Sequence, residues 1–279
     1  MTHQPVVLIT GASRGIGAAT AIYFAQQGWR VAITARTLTE GVALDHQLRL
    51  PNGQLLSGSL QATAAAIQAQ GGQVFAHTMD LMDLPSMDRA LDAIVAHYGR
   101  VDLLINNAVY QNREVNHLLP ELTLEALQRT MQGNVMAPLH LSQRVLPLMV
   151  QQGGGRLINM CSGAGQYNPP VPADQGGWGF AYGASKAAIG RLAGCINTEY
   201  RAHGIRAFSV NPGIVTTEAV KATLGDDGTL AQRYGASSPQ EIAATLFWLG
   251  TAEAALPLAK SPSMIDLQAL YQTQIAAVA

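Results

Sequence analysis

Residues 5–17 read PVVLITGASRGIG, and this stretch decides the fold class of the 279-residue chain. The apolar run Val6–Ile9 is typical of a buried strand, glycines follow at positions 11, 15 and 17, and the next residues, AATAIYFAQQ, favour a helix. Glycines let the backbone turn tightly and approach an anion, while a helix N-terminus offers free N–H groups and the positive end of its dipole. The stretch predicts a strand–turn–helix unit that holds a nucleotide phosphate, with an ordinary glycine-rich turn as the alternative.

Composition narrows the class of protein. The chain is 48% hydrophobic and 13% charged, which suits a single large domain over residues 1–279. Its net charge of −1 does not provide the basic surface of a nucleic-acid-binding protein. The sequence shows no basic leader and no apolar run near the ~20 residues of a membrane helix. Cys161 and Cys195 form no CxxC pair. We therefore expect a cytoplasmic protein with no membrane or nucleic-acid partner.

Strands and helices alternate along the chain. Further strands are predicted at residues 30–35, 73–77, 101–105, 156–160 and 205–210, a short one at 263–266, and long helices at 124–151, 180–204 and 267–278. This rhythm predicts an α/β fold, a doubly wound (Rossmann) parallel sheet in three α/β/α layers. Two long polar stretches, residues 37–58 and 163–181, are read as loop insertions.

The residues after the second strand bear on the choice of cofactor. A dinucleotide fold that binds NAD has an acidic residue near the end of this strand, where it holds the adenosine ribose diol. This chain has Ala35 and Arg36 there, and Arg14 lies inside the glycine turn. Two guanidiniums can clasp a ribose 2′-phosphate because arginine offers planar, bidentate donors, although each can also be a solvated surface residue. The pair favours NADP(H) over NAD(H).

Tyr182 and Lys186, in the sequence YGASK, share one face of the helix predicted from residue 180 because they are four residues apart. Ser162 follows the end of the fifth strand, so all three are expected at the carboxyl edge of the sheet, where ligands bind in such folds. An ordinary tyrosine hydroxyl, with a pKa near ~10, carries protons poorly at neutral pH, but a nearby ammonium favours the phenolate. The alternative is a surface pair on a helix.

These motifs together resemble the classical short-chain dehydrogenase/reductase family. The matching signatures, in chain order, are TGASRGIG at 10–17, Asp80, NNA at 106–108, Asn134, Ser162, Tyr182 with Lys186, and Pro212-Gly213 with Thr216. The resemblance covers roughly residues 5–217. It implies hydride transfer between a nicotinamide dinucleotide, here NADP(H), and a small-molecule ketone or secondary alcohol.

The resemblance also implies a role for each matching residue. Tyr182 would be the general acid or base, Lys186 would hold the nicotinamide ribose, Ser162 would bind the substrate oxygen, and Asn134 would anchor a relay water. The other matching residues would bind the cofactor: Gly11, Ser13, Arg14, Gly15, Ile16 and Gly17 at the pyrophosphate and adenosine, Asp80 and Leu81 at the adenine, Asn107 and Ala108 beneath the adenosine ribose, and Pro212, Gly213 and Thr216 at the nicotinamide.

Pro138 gives the predicted role of Asn134 a physical basis. Proline has no N–H, so the Asn134 carbonyl loses the helical donor four residues later and is free to accept from a water molecule. A plain proline kink in the helix is the alternative.

The chain departs from the family pattern in three places. Val109 follows NNA where the family has glycine, so the loop that includes Tyr110 is expected to be reshaped. The 163–181 insertion carries Tyr167, Trp178 and Phe180 and is expected to form an aromatic wall of the substrate pocket, with a plain surface loop as the alternative. The C-terminal segment 251–279 is atypical, which weakens the expectation of a homo-oligomer (dimer or tetramer).

Two other functions remain open on the same fold, because a fold does not determine a function. One is a dinucleotide-sensing regulator, which would be expected to lack the Ser162, Tyr182 and Lys186 set. The other is an enzyme with no net redox, such as an epimerase or dehydratase. The histidines show no metal-ligand spacing, so no metal is expected.

Overall fold

The strands of the chain form one parallel sheet. In the computed structural model, which describes residues 4–42, 44, 53–220, 235–261 and 263–277, the strand order is β3-β2-β1-β4-β5-β6-β7, and every neighbouring pair is parallel. The strands are β1 Val6–Thr10, β2 Arg30–Ala35, β3 Val74–Thr78, β4 Leu103–Asn106, β5 Gly155–Met160, β6 Ile205–Asn211 and β7 Ile265–Asp266. The predicted doubly wound fold is confirmed. The order reverses between β1 and β4, which opens a crevice at their carboxyl ends.

Helices cover both faces of this sheet. They are α1 Gly15–Gln26, α2 Leu60–Gln68, α3 Leu84–Tyr98, α4 Leu124–Met131, α5 Ala137–Gln152, α6 Phe180–Gly190, α7 Leu192–Tyr200, α8 Pro239–Thr251 and α9 Leu267–Gln274. Local sequence explains several of their ends. Ser59, Asp83 and Thr123 each accept a hydrogen bond from a first-turn N–H, and Ser238 forms a capping box with Glu241.

The two faces of the sheet bury separate apolar clusters. Val7 and Ile9 of β1 face the cluster that α1, α2, α8 and α9 cover, whereas Leu8 faces the cluster that α3, α5 and α7 cover. All three side chains are fully buried. Burial on both faces explains why these strands read as continuous apolar runs instead of alternating ones.

The long helical patterns are divided in the structure. The pattern at 124–151 contains a π-helical turn, Gln132–Met136, in which the Ala137 N–H donates to the Gln132 carbonyl five residues back. A proline at position 138 removes one α-helical donor, and a π turn is one way for the backbone to change its bonding at such a point. The helix predicted from 180 to 204 is wrong as one element: a tight turn at Arg191 separates α6 from α7, and α7 ends at Tyr200.

Other predicted elements shift only at their ends. The C-terminal helix ends at Gln274 instead of residue 278, and β7 is confined to two residues. Part of the 37–58 insertion, including Pro51 and Asn52, lies outside the described residues. Within the described ranges, no single helix is long and apolar enough to span a membrane. The α8 helix and the following segment Glu253–Lys260 pass that test only as a pair, and the pair is bent by 88°.

Candidate active site

The glycine turn after β1 needs glycine for steric reasons. Gly11 and Gly15 have φ angles of +70° and +57°, in the left-handed region. A Cβ added at Gly11 would lie 2.7 Å from the Cα of Ala108, and one at Gly17 would overlap the Gly11 carbonyl and lie 2.6 Å from Nδ2 of Asn107. The turn therefore packs directly on the loop after β4.

Asn107 fixes this contact with hydrogen bonds. Its Nδ2 donates to the carbonyls of Thr10 and Gly11, at 2.9 and 3.2 Å. In return, the Thr10 hydroxyl accepts from the backbone N–H groups of Asn107 and Ala108, at 3.1 and 3.0 Å. The two loops at the topological switch point thus form one braced unit.

A cleft of about 620 Å³ runs along this edge of the sheet. It brings together most of the predicted site residues: Gly11, Ser13, Arg14, Gly15, Ile16, Gly17, Arg36, Asp80, Leu81, Asn107, Ala108, Tyr182, Lys186, Pro212 and Gly213. Asn134, Ser162 and Thr216 do not line it.

The phosphate end of the cleft suits a dinucleotide. Arg14 is the N-cap residue of α1, but its side chain does not accept a hydrogen bond from the first turn of the helix. This first turn borders the cleft. Its backbone N–H groups and the positive end of the helix dipole can therefore serve a bound anion. Since the glycines leave the backbone without side chains there, a pyrophosphate fits this cradle.

Arg14 lines the cleft and already has protein partners. Its Nε donates to the Ser57 carbonyl at 2.8 Å, and its Nη2 donates to the carbonyls of Gly58 and Leu56 at 2.9 and 3.3 Å. Burial lowers the pKa of Arg14; the carboxylates of Glu218 and Glu40 oppose this, and the nearby charge of Arg36 adds to it. Arg14 thus holds segment 56–58 against the glycine turn, close to a second guanidinium that also lines the cleft.

Tyr182 and Lys186 meet at the other end of the cleft. Lys186 is only 6% exposed, and its Nζ donates to the Met160 carbonyl at 3.0 Å. The same nitrogen lies 5.8 Å from the centroid of the Tyr182 ring. The prediction that the two side chains share a face of one helix is therefore confirmed, and a buried ammonium lies beside a phenol.

Ser162 and Cys161 follow β5 at this point. The Ser162 hydroxyl oxygen accepts from the Ala164 N–H at 3.2 Å, which leaves its own hydrogen available for donation. Burial raises the pKa of the Cys161 thiol, against the opposing effect of the Lys186 ammonium. A thiol held in its protonated form is a poor nucleophile, and Cys161 is 4% exposed, so we interpret it as a packing residue.

Asn134 lies in the π-helical turn and is 4% exposed. Its Oδ1 accepts from the Tyr110 N–H at 2.8 Å, and its Nδ2 donates to the Ser185 hydroxyl at 3.2 Å. Ser185 in turn donates to the Tyr182 carbonyl at 2.8 Å. The side chain of Asn134 is thus used within the protein, and a contact with a relay water would have to come from its main chain.

The segment after β6 differs from the prediction. The Thr216 hydroxyl donates to the Ser237 carbonyl at 3.3 Å, whereas Thr217, Glu218, Ala219 and Val220 line the cleft. The bridge between Val215 and Ser237 sets this orientation. None of these four residues is among the individually predicted site residues, because no local pattern reveals a pairing across 22 positions.

The 163–181 insertion borders the cleft, but not with its aromatic residues. Ala173, Gly176 and Gly177 line the cleft, whereas Tyr167 and Phe180 are 67% and 57% exposed. The loop is therefore a wall of small residues instead of the expected aromatic one. In the described part of the chain, no group of three His, Cys, Asp or Glu residues could hold a metal ion.

Comparison with known proteins agrees with this geometry. The family model for the short chain dehydrogenase matches residues 5–227. The chain belongs to the short-chain dehydrogenase family. It is 28% identical to 7alpha-hydroxysteroid dehydrogenase of Bacteroides fragilis, over 90% of this chain and 89% of that protein. It is 31% identical to D-threitol dehydrogenase of Mycolicibacterium smegmatis, over 90% and 87%.

A solved structure gives the same result for the fold. A short-chain type dehydrogenase/reductase from Mycobacterium marinum is 26% identical and superposes with a TM-score of 0.76 over 97% of this chain and 96% of that one. Members of this family are oxidoreductases that use NAD(P), and this chain is therefore a short-chain dehydrogenase/reductase. The named substrates of its relatives differ widely.

Proposed function

We propose that this short-chain dehydrogenase uses NADP(H) to interconvert a ketone and a secondary alcohol, with Tyr182 as the proton carrier. The observation that carries the proposal is the buried Lys186 ammonium, 5.8 Å from the Tyr182 ring, in the cleft that begins at the glycine turn. A tyrosine hydroxyl in the same cleft as the glycine turn can exchange a proton with the oxygen of a bound ketone or alcohol.

Each side chain of the proposed site has a separate role in the reaction. When bound, the dinucleotide supplies or accepts the hydride. Tyr182 gives its hydroxyl proton to the carbonyl oxygen during reduction and takes it back during oxidation. Ser162 follows Cys161, which lines the cleft, and we assign its hydroxyl hydrogen, which the Ala164 contact does not use, to the same oxygen. We assign Asn134 to proton supply through its main-chain carbonyl, since Pro138 offers that carbonyl no helical donor.

The preference for NADP(H) rests on Arg36. No carboxylate stands at the end of β2, where Ala35, Arg36 and Thr37 line the cleft. We assign Arg36 to the ribose 2′-phosphate because it lines the cleft directly after β2 and a guanidinium suits a phosphate. Two of the three Arg14 side-chain nitrogens donate to carbonyls of segment 56–58. Arg14 then contributes through the loop that it holds.

A cofactor-consumption assay tests the proposed function. The full-length protein is given NADPH or NADH with a panel of ketones, and both cofactor oxidation and the organic product are followed. We expect oxidation of NADPH with one or more ketones, at a higher kcat/KM than with NADH. Conversion of a substrate with no net change in NADPH would instead favour a non-redox enzyme, and NADPH binding without any conversion would favour a dinucleotide-sensing regulator. The homo-oligomeric state and cytoplasmic location remain predictions.

A further inference from the structure

Glu114 lies outside the predicted catalytic set, on the 3-10 turn Arg113–Asn116 that follows Val109 and Tyr110. Its carboxylate accepts from the Tyr110 hydroxyl at 2.8 Å and from Nε and Nη2 of Arg129 at 2.8 and 2.7 Å. The Glu114 side chain is 15% exposed. A two-pronged arginine–carboxylate contact fixes geometry better than a single hydrogen bond does, so this turn is held firmly against α4.

Burial and the Glu114 carboxylate both raise the pKa of Tyr110. The Tyr110 hydroxyl therefore stays protonated and remains a donor to Glu114 over the neutral range.

One route from this turn reaches α6 directly. The Oδ1 of Asn116 accepts from the Gly179 N–H at 3.0 Å, and Gly179 is the N-cap residue of α6, three residues before Tyr182. The two backbones are in close contact, because a Cβ added at Gly179 would lie 2.8 Å from the Cα of Asn116. Since no side chain of α6 itself caps this end, the turn supplies the contact from outside.

A second route passes through Tyr110, which is 4% exposed. Its N–H donates to Oδ1 of Asn134, whose Nδ2 donates to Ser185, which donates to the Tyr182 carbonyl. Tyr110 also packs against the π-helical turn, where a Cβ added at Gly133 would overlap its side chain. The two routes reach the first turn of α6 at Gly179 and at Tyr182. One begins in the 3-10 turn that carries Glu114, and the other begins at Tyr110, which Glu114 binds.

We propose that Glu114 is a positioning residue that, clamped by Arg129, holds the first turn of α6 and thereby places the Tyr182 hydroxyl for proton transfer. The proposal rests on the proposed function of Tyr182. Misplacement of a reacting group by about 1 Å can cost about 100-fold in rate, so loss of the clamp affects catalysis without any contact between Glu114 and the ligands.

The test compares Glu114→Ala, Arg129→Ala and the double variant with a matched control, Asp88→Asn. Asp88 on α3 accepts from Arg144 and contacts the ring of His140, both on α5, and it lies outside this network. All measurements are made well below the melting temperature of each variant. The first readout is functional and comprises kcat, KM and the NADPH dissociation constant. The second is hydrogen exchange of the backbone amides of residues 179–186.

We expect Glu114→Ala to lower kcat by about 10- to 100-fold, with less than a threefold change in the NADPH dissociation constant. Amide exchange at 179–186 should become about fivefold faster or more. The double variant should be no worse than Glu114→Ala alone, because both residues serve one clamp. Asp88→Asn should match the wild type in both readouts.

Wild-type kcat and wild-type exchange in Glu114→Ala, whatever its melting temperature, would overturn the proposal. So would a loss of activity that comes entirely from weaker NADPH binding. Failure of the proposed function can be told apart from failure of this proposal. If the wild type reduces no ketone, amide exchange still reports whether Glu114 holds α6. Unchanged exchange in Glu114→Ala would overturn the role of Glu114, and faster exchange would support it.

Discussion

Arg36→Asp should shift the cofactor preference from NADPH toward NADH. Arg36 lines the cleft at the end of β2, and Arg14 is engaged with the carbonyls of segment 56–58. A hydrogen bond to a charged group contributes about 1.5–3 kcal/mol, and about 1.4 kcal/mol corresponds to a factor of ten in the dissociation constant. We therefore expect NADPH to bind about 12- to 140-fold more weakly, with further loss from repulsion between the new carboxylate and the 2′-phosphate.

NADH should respond differently to the same substitution. It carries no 2′-phosphate, and a carboxylate at this place can accept hydrogen bonds from the ribose diol. Its dissociation constant should stay within about threefold of the wild-type value or improve.

Calorimetric titration with NADPH and NADH measures both dissociation constants. Arg201→Asp is the control, because Arg201 is exposed just before β6, at the opposite edge of the sheet from the cleft, and the change in net charge is the same. Arg14→Met should weaken both cofactors, since it releases segment 56–58 from the glycine turn. The assignment of the two arginines would be refuted if Arg36→Asp left the ratio of the NADPH and NADH dissociation constants unchanged while Arg14→Met removed the preference for NADPH.

Four substitutions test the glycine turn, two helices and a buried tyrosine. Gly17→Ala should abolish dinucleotide binding because its Cβ overlaps the Gly11 carbonyl, whereas Gly194→Ala, in a helix with open space around it, should raise the unfolding free energy by about 1 kcal/mol; titration and thermal melts check both. Ser238→Ala removes the capping box of α8 and should cost about 1 kcal/mol, measured by urea unfolding. Burial raises the pKa of Tyr98 from its ordinary value of 10.0 to about 12, so the stability from this neutral hydroxyl is fully present below pH 10 and is lost as the pH rises to 12. In thermal melts over that window, Tyr98→Phe should lose less stability than the wild type.

Features set by nearby residues could be predicted from the sequence. The β1–turn–α1 unit is determined by an apolar run and by glycines that the backbone needs. The capping box of α8 is a local feature of this kind, because Ser238 and Glu241 are three residues apart and satisfy each other's backbone N–H groups. Strand ends were less certain because pairing decides them: β3 extends to Thr78, opposite Ala35 of β2.

Features set by contacts between distant residues could not be predicted. Arg14 meets the Gly58 carbonyl across 44 positions of the chain, so the sequence alone suggested a phosphate ligand and gave no sign of the loop that it holds. Asn116 and Gly179 are 63 positions apart. Pro138 signalled an irregular helix, but the π turn also depends on Tyr110 packing against Gly133, which no local pattern shows.

Turnover by Tyr182→Phe tests the central claim most directly. Phenylalanine keeps the ring beside Lys186 and removes only the hydroxyl that carries the proton. With a ketone that the wild type reduces, we expect NADPH oxidation to fall by about 100- to 10,000-fold, the usual contribution of a general acid, while the NADPH dissociation constant stays within about threefold. Wild-type turnover by Tyr182→Phe, with NADPH bound as before, would contradict the assignment of Tyr182 as the proton carrier.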